Sequence, residues 1–312
     1  MNNDVNYVMK KILILVQSCN DDFFKKEIEC IKETYVSNLP SNIDFIYYIG
    51  DNEKEELIDD YLKLACSDDI YSTFRKTYCA LRFLQLNNMH YDYIVKTNTS
   101  TYINIKLLDK IINSIEDDKK LYCTELYSLS DGCCPTPLAL FARGNCIILS
   151  KYWQNIILNE GISFLYLNIT DDKTIGNIHN SFLIKTRQQY INNFVSFPHG
   201  WYKCIDNKDT VNNHKLCKYG ASLDDYSNFL TVQIKNYIDR NLEIQYFKEV
   251  HNLFKNDNVE KACIDAFEYS KNPSIFIGSI LGYIDLETWK KIDKTKLYQI
   301  EINNKAIDDK LI

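Results

Sequence analysis

The stretch Asp92-Tyr93-Ile94-Val95-Lys96-Thr97-Asn98-Thr99-Ser100-Thr101-Tyr102-Ile103-Asn104 decides how this 312-residue chain is read. Tyr93, Ile94 and Val95 form a short apolar run with the character of a buried strand. The run stops in five small polar residues, Thr97 to Thr101. A helical pattern follows, with Ile105, Leu107, Leu108 and Ile111 on one face. A buried strand that delivers polar side chains at its C-terminal end is where open α/β sheets bind ligands. The stretch therefore predicts a fold class and a place for the site together.

Working outward, residues 11–16 are a second apolar run, closed by Ser18-Cys19-Asn20-Asp21 with turn and capping chemistry. Phe24, Ile28, Ile31 and Tyr35 recur at helical spacing. Residues 45–49 read as a strand ending at Gly50-Asp51, residues 53–60 as a short acidic surface helix, and residues 62–66 as a further strand. Asp68-Asp69 opens a helix that carries Thr73, Thr77, Ala80, Leu81 and Leu84, where acidic residues suit the helix dipole. Strand and helix thus alternate up to the opening stretch, which predicts an α/β protein with a mainly parallel sheet covered on both faces.

Beyond it, residues 121–123, 138–141 and 146–149 read as strands. Ser150 and Asp171-Asp172 each open a helix, and residues 195–201 read as one strand ending in an aromatic turn. From about Asp224 the texture becomes helical, through Leu230, Ile234 and Ile238, then Phe247, Val250 and Phe254, then Val259 to Phe267. Strands at 274–277 and 298–302 and a helix around Trp289 complete the chain. The expected organisation is one domain over 1–220 and a mostly helical extension, 221–312, packed on it.

Composition narrows the function. The net charge is −6 and the pI about 5.5, and no Lys/Arg cluster is large enough to displace counterions from nucleic acid. Only residues 12–16 are apolar after Lys10-Lys11, far short of a signal sequence or a membrane span, so the expected location is cytoplasmic. The 11 cysteines are odd in number and irregularly spaced, without a Cys-x-x-Cys. That predicts reduced, buried thiols and no structural zinc.

Several segments, taken in order, resemble the fringe-like, β-1,3-galactosyltransferase-type family of inverting glycosyltransferases. Lys32-Glu33-Thr34-Tyr35 is similar to the family's Arg-Glu-Thr-Trp. Asp69-x-Tyr71-x-Thr73-x-x-Lys76-Thr77 resembles its Asp-x-Tyr-x-x-Leu-x-x-Lys-Thr. Residues 96–104 lie over Lys-x-Asp-Asp-Asp-x-Phe-x-Asn without a gap, residues 144–150 resemble Gly-Gly-Gly-Tyr-x-x-Ser, and Asp171-Asp172-Lys173-Thr174-Ile175-Gly176 resembles Glu-Asp-Val-x-x-Gly. The resemblance covers about residues 11–200.

It implies a GT-A fold, a three-layer sandwich with a mainly parallel central sheet. It also implies transfer of a hexose or N-acetylhexosamine from a UDP-sugar to a glycan hydroxyl, with Asp172 as general base. A carboxylate at a helix start beside a second one, Asp171, is compatible with that role. Donor binding is assigned to Ser18, Lys76, Thr97, Asn98 and Ser100.

One departure matters. The family's Asp-x-Asp holds a divalent cation, usually manganese, and here Asn98-Thr99-Ser100 stands in its place. A hard cation prefers carboxylate oxygens. Three outcomes stay open. The leaving diphosphate is stabilised without metal by Arg143, Lys96 or Lys203. Or manganese is held weakly through phosphates, an amide oxygen and a late histidine, for which His199 is the candidate. Or catalysis is lost and the chain is an inactive sugar- or nucleotide-binding protein. The first is the working expectation.

Overall fold

The computed structural model describes residues 9–51, 53–128, 140–167, 169–186, 193–205, 229–236, 239–254, 259–276 and 283–291. Its first strand, β1 (Ile12–Gln17), is buried along its whole length. Ile12, Ile14 and Val16 face one hydrophobic cluster, and Leu13 and Leu15 face another, as the two-residue period of a strand dictates. Such a strand needs cover on both sides. The first cover is α1 (Asp22–Glu33), begun by Asp21, whose carboxylate accepts the Phe23 N–H at 2.8 Å. β2 (Ile43–Gly50) then pairs parallel with β1.

Residues 53–60 depart from the expected acidic helix. β3 (Glu56–Ile58) and β4 (Tyr61–Leu64) make an antiparallel hairpin at the sheet edge, turned at Asp59 with φ of 54°. Leu57 packs on the core while Glu56 pairs with Lys54 and Ile58 is exposed, and the very short, charge-flanked β3 is one way a sheet edge is kept from pairing further. A 3-10 turn at Ile70–Ser72, capped by Asp69, leads into α2 (Thr73–Leu86). The opening stretch becomes β5 (Tyr93–Asn98), a two-residue turn, β6 (Thr101–Ile103) and α3 (Ile105–Ser114), with Asn104 as the helix cap.

Four strands follow: β7 (Leu121–Cys123), β8 (Leu126–Ser128), β9 (Leu140–Ala142) and β10 (Cys146–Ser150). Next come α4 (Lys151–Glu160), α5 (Asp171–Thr186), β11 (Phe194–Ser196), β12 (His199–Ile205) and β13 (Thr231–Asn236). The described chain closes with α6 (Asn241–Leu253), α7 (Val259–Lys271), β14 (Ser274–Phe276), β15 (Tyr283–Asp285) and α8 (Leu286–Lys291).

The central sheet has the order β11-β7-β10-β5-β1-β2-β4-β3. It is mainly parallel, with β10 running antiparallel between β5 and β7. Helices α1, α3, α6 and α7 contribute to the core on one face, and α2, α4 and α5 to the core on the other. This is the expected three-layer α/β sandwich, consistent with a GT-A-like fold. Two smaller sheets flank it, β12-β13-β6 and β15-β14-β8-β9.

Two expectations near the C-terminal half are corrected. Residues 195–201 are two strands in two sheets. The break falls at Pro198, which has no N–H to give a ladder. Leu230 and Ile234 were expected on a helix, but they belong to or adjoin β13, which lies between β12 and β6. A spacing of four puts residues on one face of a strand as well as of a helix, and the Thr-Val-Gln-Ile sequence suits a buried strand. The boundary expected at 220 falls among the undescribed residues 206–228, and the strands on either side of it pair in parallel.

Helix α5 packs against β9 at Gly176, where an added Cβ would stand 2.5 Å from the Phe141 Cβ. Gly176→Val should therefore cost about 3 kcal/mol through overpacking, read as a lower urea midpoint with an unchanged m-value. No helix among the described residues is long and apolar enough to cross a membrane. Cys19, Cys30, Cys66, Cys79, Cys123, Cys146 and Cys263 are free thiols. The strand expected at 298–302 lies outside the described residues.

Candidate active site

Because β1, β2 and β5 are parallel, their C-terminal ends share one edge, with Gln17 opposite Asn98. At that edge Asn98 organises the turn that follows β5. Its side-chain oxygen accepts from the Ser100 N–H at 3.2 Å, the Ser100 hydroxyl at 3.0 Å and the Thr101 hydroxyl at 2.9 Å. Thr97 is fully buried and donates its hydroxyl to the Asn145 carbonyl at 2.6 Å. It ties β5 to the loop before β10 and faces into the protein.

The turn is also held from the far end of the chain. Gln233 of β13 donates to the Ser100 hydroxyl at 2.8 Å, and the Ile234 N–H donates to the Ser100 carbonyl at 2.7 Å. Gln233 braces the candidate site in a way the sequence did not disclose, since its strand reads as a helix in the packed C-terminal extension. Behind the turn, Glu27 of α1 and Glu243 of α6 are both fully buried. Arg240 lies 3.8 Å from Glu27 and 3.3 Å from Glu243, and its guanidinium covers the Phe23 ring at 4.2 Å. Burial and the neighbouring Glu243 push the Glu27 carboxyl well above the usual range.

The facing wall is the start of α5. Asp172 accepts from the Thr170 hydroxyl at 2.5 Å and the Lys173 N–H at 2.8 Å through one oxygen, and from the Gly144 N–H at 3.3 Å through the other. Asp171 is buried and paired with the Lys96 ammonium, which also donates to the Gly144 carbonyl at 3.4 Å. Burial lowers the Lys96 ammonium to about 8, against the opposing pull of Asp172. The last turn of β5 and the first turn of α5 are therefore joined through Lys96 and Gly144. Lys96, offered above as a diphosphate ligand, is instead turned inward, with its side chain 2% exposed.

Ser18 and Lys76 also come together, at the end of β1. The Lys76 ammonium, 3% exposed, donates to the Ser18 carbonyl at 2.9 Å and to Asp68 at 2.8 Å. Asp68 in turn accepts from the N–H of Gly50 at 3.0 Å and of Asn20 at 2.6 Å. One carboxylate thus gathers the loops after β1 and β2, and Lys76 serves that junction from beneath. In the sequence Asp68 looked like a helix-start residue; Asp69 alone has that role.

Arg143, the residue before Gly144, pairs at 3.0 Å with the buried Glu125 and covers the Tyr127 ring at 4.9 Å. Its side chain is 24% exposed, and the backbone N–H of the next residue, Gly144, donates to Asp172. The Lys203 side chain lies outside the described residues. His199 is buried, with one ring nitrogen 3.0 Å from the Asn145 amide nitrogen and the other 2.8 Å from the Thr231 hydroxyl. Both ring nitrogens are engaged in the protein's own hydrogen bonds.

Burial lowers the His199 imidazole from 6.5 to about 4, with Glu125 opposing and Arg143 reinforcing the shift. Between pH 6.5 and about 4 the unfolded chain binds a proton that the folded one does not, so stability falls as pH falls, by up to about 3 kcal/mol. His199→Gln should flatten that loss, measured as urea midpoints across this window.

These donors do not fit a divalent cation. The Asn98 oxygen already accepts three hydrogen bonds, the Ser100 hydroxyl is held between Asn98 and Gln233, and His199 has both nitrogens engaged. Among the described residues no group of three or more His, Cys, Asp or Glu stands close enough to hold a metal ion.

No protein-family model matches the chain, and no curated protein does. One solved structure similar to it is a glycosyltransferase involved in the glycosylation of the major capsid of PBCV-1. The two are 12% identical, the match covers 76% of this chain and 98% of that one, and the TM-score is 0.41. A likeness of that size decides neither fold nor function.

Proposed function

We propose that this chain is a GT-A-type glycosyltransferase that moves a hexose or N-acetylhexosamine from a UDP-sugar to a glycan hydroxyl with inversion. One observation carries the reading. The C-terminal part of β5 and the start of α5, with Asp172 standing 74 positions after Asn98, are joined near one end of the central sheet: Lys96 of β5 pairs with Asp171 and donates to the Gly144 carbonyl, and the Gly144 N–H donates to Asp172. Sheet ends of this kind hold ligands in open α/β folds, and the motifs that resemble the family fall on both walls.

In the proposed reaction Asp172 takes the proton of the acceptor hydroxyl as that oxygen attacks the anomeric carbon. The bond from that carbon to the diphosphate breaks, and the electron pair leaves with UDP. The Asn98 amide nitrogen, on the side chain whose oxygen organises the turn, offers a neutral hydrogen-bond donor to the nucleotide sugar, and Ser100 holds that turn in place. Arg143, partly exposed beside Gly144 in sequence, supplies positive charge to the departing diphosphate. No step is assigned to a metal. Residues 221–312 act as an extension that braces the donor turn through Gln233.

Thermal shift and donor hydrolysis with a panel of UDP-sugars, each with EDTA and with manganese, test this. A donor that raises Tm equally in EDTA and manganese and is turned over supports a metal-free transferase. A shift without turnover favours the inactive binding protein. No shift with any nucleotide sugar sinks the reading.

A further inference from the structure

Lys96 and Asp171 are both buried, with side chains 2% and 9% exposed, and neither is used in the reaction above. A buried ion pair adds little net stability, and replacing both partners by apolar residues is often neutral or stabilising. Their presence beside the proposed base therefore calls for another reason, and the geometry supplies one.

Lys96 touches both halves of the cradle around Asp172. On one side its ammonium pairs with Asp171, the first residue of α5. On the other it donates to the carbonyl of Gly144, whose N–H donates to Asp172. The three groups converge so closely that a Cβ on Gly144 would lie 3.5 Å from the Asp172 Cβ, 3.6 Å from an Asp171 oxygen and 3.6 Å from the Lys96 nitrogen. The Asp171 N–H is separately anchored to the Thr73 hydroxyl at 3.1 Å, which links the start of α2 to the same cradle.

We infer that the buried Lys96–Asp171 ion pair is a positioning device for Asp172, fixing the first turn of α5 and the Gly144 peptide so that the carboxylate faces the donor turn after β5. This rests on the glycosyltransferase reading of Asp172. Neither residue touches substrate; both act through Asp172. The pair also neutralises a carboxylate that would otherwise stand charged beside the base. Among the described residues Lys76 on α2 also acts on the Lys96 charge, and Lys173 and Arg143 flank the cradle in sequence.

The test replaces the pair as a unit, Lys96→Met with Asp171→Leu, so that no buried charge is left unpartnered and the fold is retained. Wild type, Asp172→Asn and the double variant are compared with the UDP-sugar that best stabilises the wild type. The expected result is a wild-type Tm within a few degrees, a donor KM within about twofold, and a kcat lowered about 10²-fold, as a misplaced catalytic group costs. Lys96→Arg, which keeps the charge pair, should recover at least about tenfold of that loss. A double variant with wild-type kcat overturns the inference, as does one whose whole defect is in donor KM.

Failure of the underlying reading looks different, because then Asp172→Asn is as active as the wild type, or the wild type turns over no donor. Amide hydrogen exchange decides the positioning role in that case too. The double variant should exchange faster at residues 171–174 and at Gly144, with β1 and β2 unchanged. Unchanged exchange at those positions overturns it.

Discussion

Asp172→Asn is expected to lower kcat by about 10²–10⁴-fold, the range that a positioned general base contributes, while the protein stays folded. The carboxamide keeps an oxygen to accept from Thr170 and Lys173, so the local cap of α5 survives. It loses the capacity to hold the acceptor's proton. The Gly144 N–H faces the oxygen position that the amide nitrogen can also occupy, a hydrogen bond worth about 1 kcal/mol when lost. Melting temperature and kcat thus separate: the first moves by a few degrees, the second by orders of magnitude. Near-wild-type turnover with the best donor would remove Asp172 from the mechanism.

Lys96→Met alone is expected to have the largest effect on stability. The methionine follows the path of the lysine stem but leaves Asp171 buried without its countercharge. Breaking a buried pair by removing one partner costs about 3–5 kcal/mol, which in a chain of this size lowers Tm by about 10 °C. Adding Asp171→Leu should return most of that loss, because the stranded charge is gone. The comparison, run as urea or thermal denaturation, distinguishes a stranded charge from lost packing: a packing defect would persist in the double variant. A single Lys96→Met variant as stable as the wild type would show that the pair is not desolvated in solution.

The stability and rate effects at Lys96 are thus of different kinds. Stability answers to whether Asp171 is left alone. Rate answers to whether the first turn of α5 is held against β5. The turn after β5 has its own supports, Gln233 from β13 and the Glu27–Arg240–Glu243 cluster behind it, so the two walls of the site are braced by separate parts of the chain.

Much of this was legible in the residues themselves. The apolar runs at β1, β2, β5 and β10 are continuous because each strand is covered on both faces, and continuous burial leaves a plain mark. The helix starts at Asp21 and Ser150 are local chemistry and are readable for that reason. Residues 53–60 were misread because an exposed edge strand and a surface helix carry similar charged compositions. β13 was misread because an i, i+4 spacing satisfies both periods, and only the gap between β12 and β6 selects one.

For the candidate site, the sequence by itself marked the two elements from which it is built: a buried strand ending in Thr97 to Thr101, and a helix opening with Asp171-Asp172. Which side chains face a ligand was decided by tertiary structure alone. Thr97, Lys96 and Lys76 read as ligand groups because they are polar residues at strand ends or in a matching motif. In the fold each is buried and spent on another loop, Lys96 on Asp171, Lys76 on Ser18 and Asp68, Thr97 on Asn145. Asp68, Gln233 and the inward turn of His199 left no local mark, because a buried polar group is defined by partners distant in sequence. Opposite charge and hydrogen-bond satisfaction in a low-dielectric interior assign those partners, and only the packed chain brings them within reach.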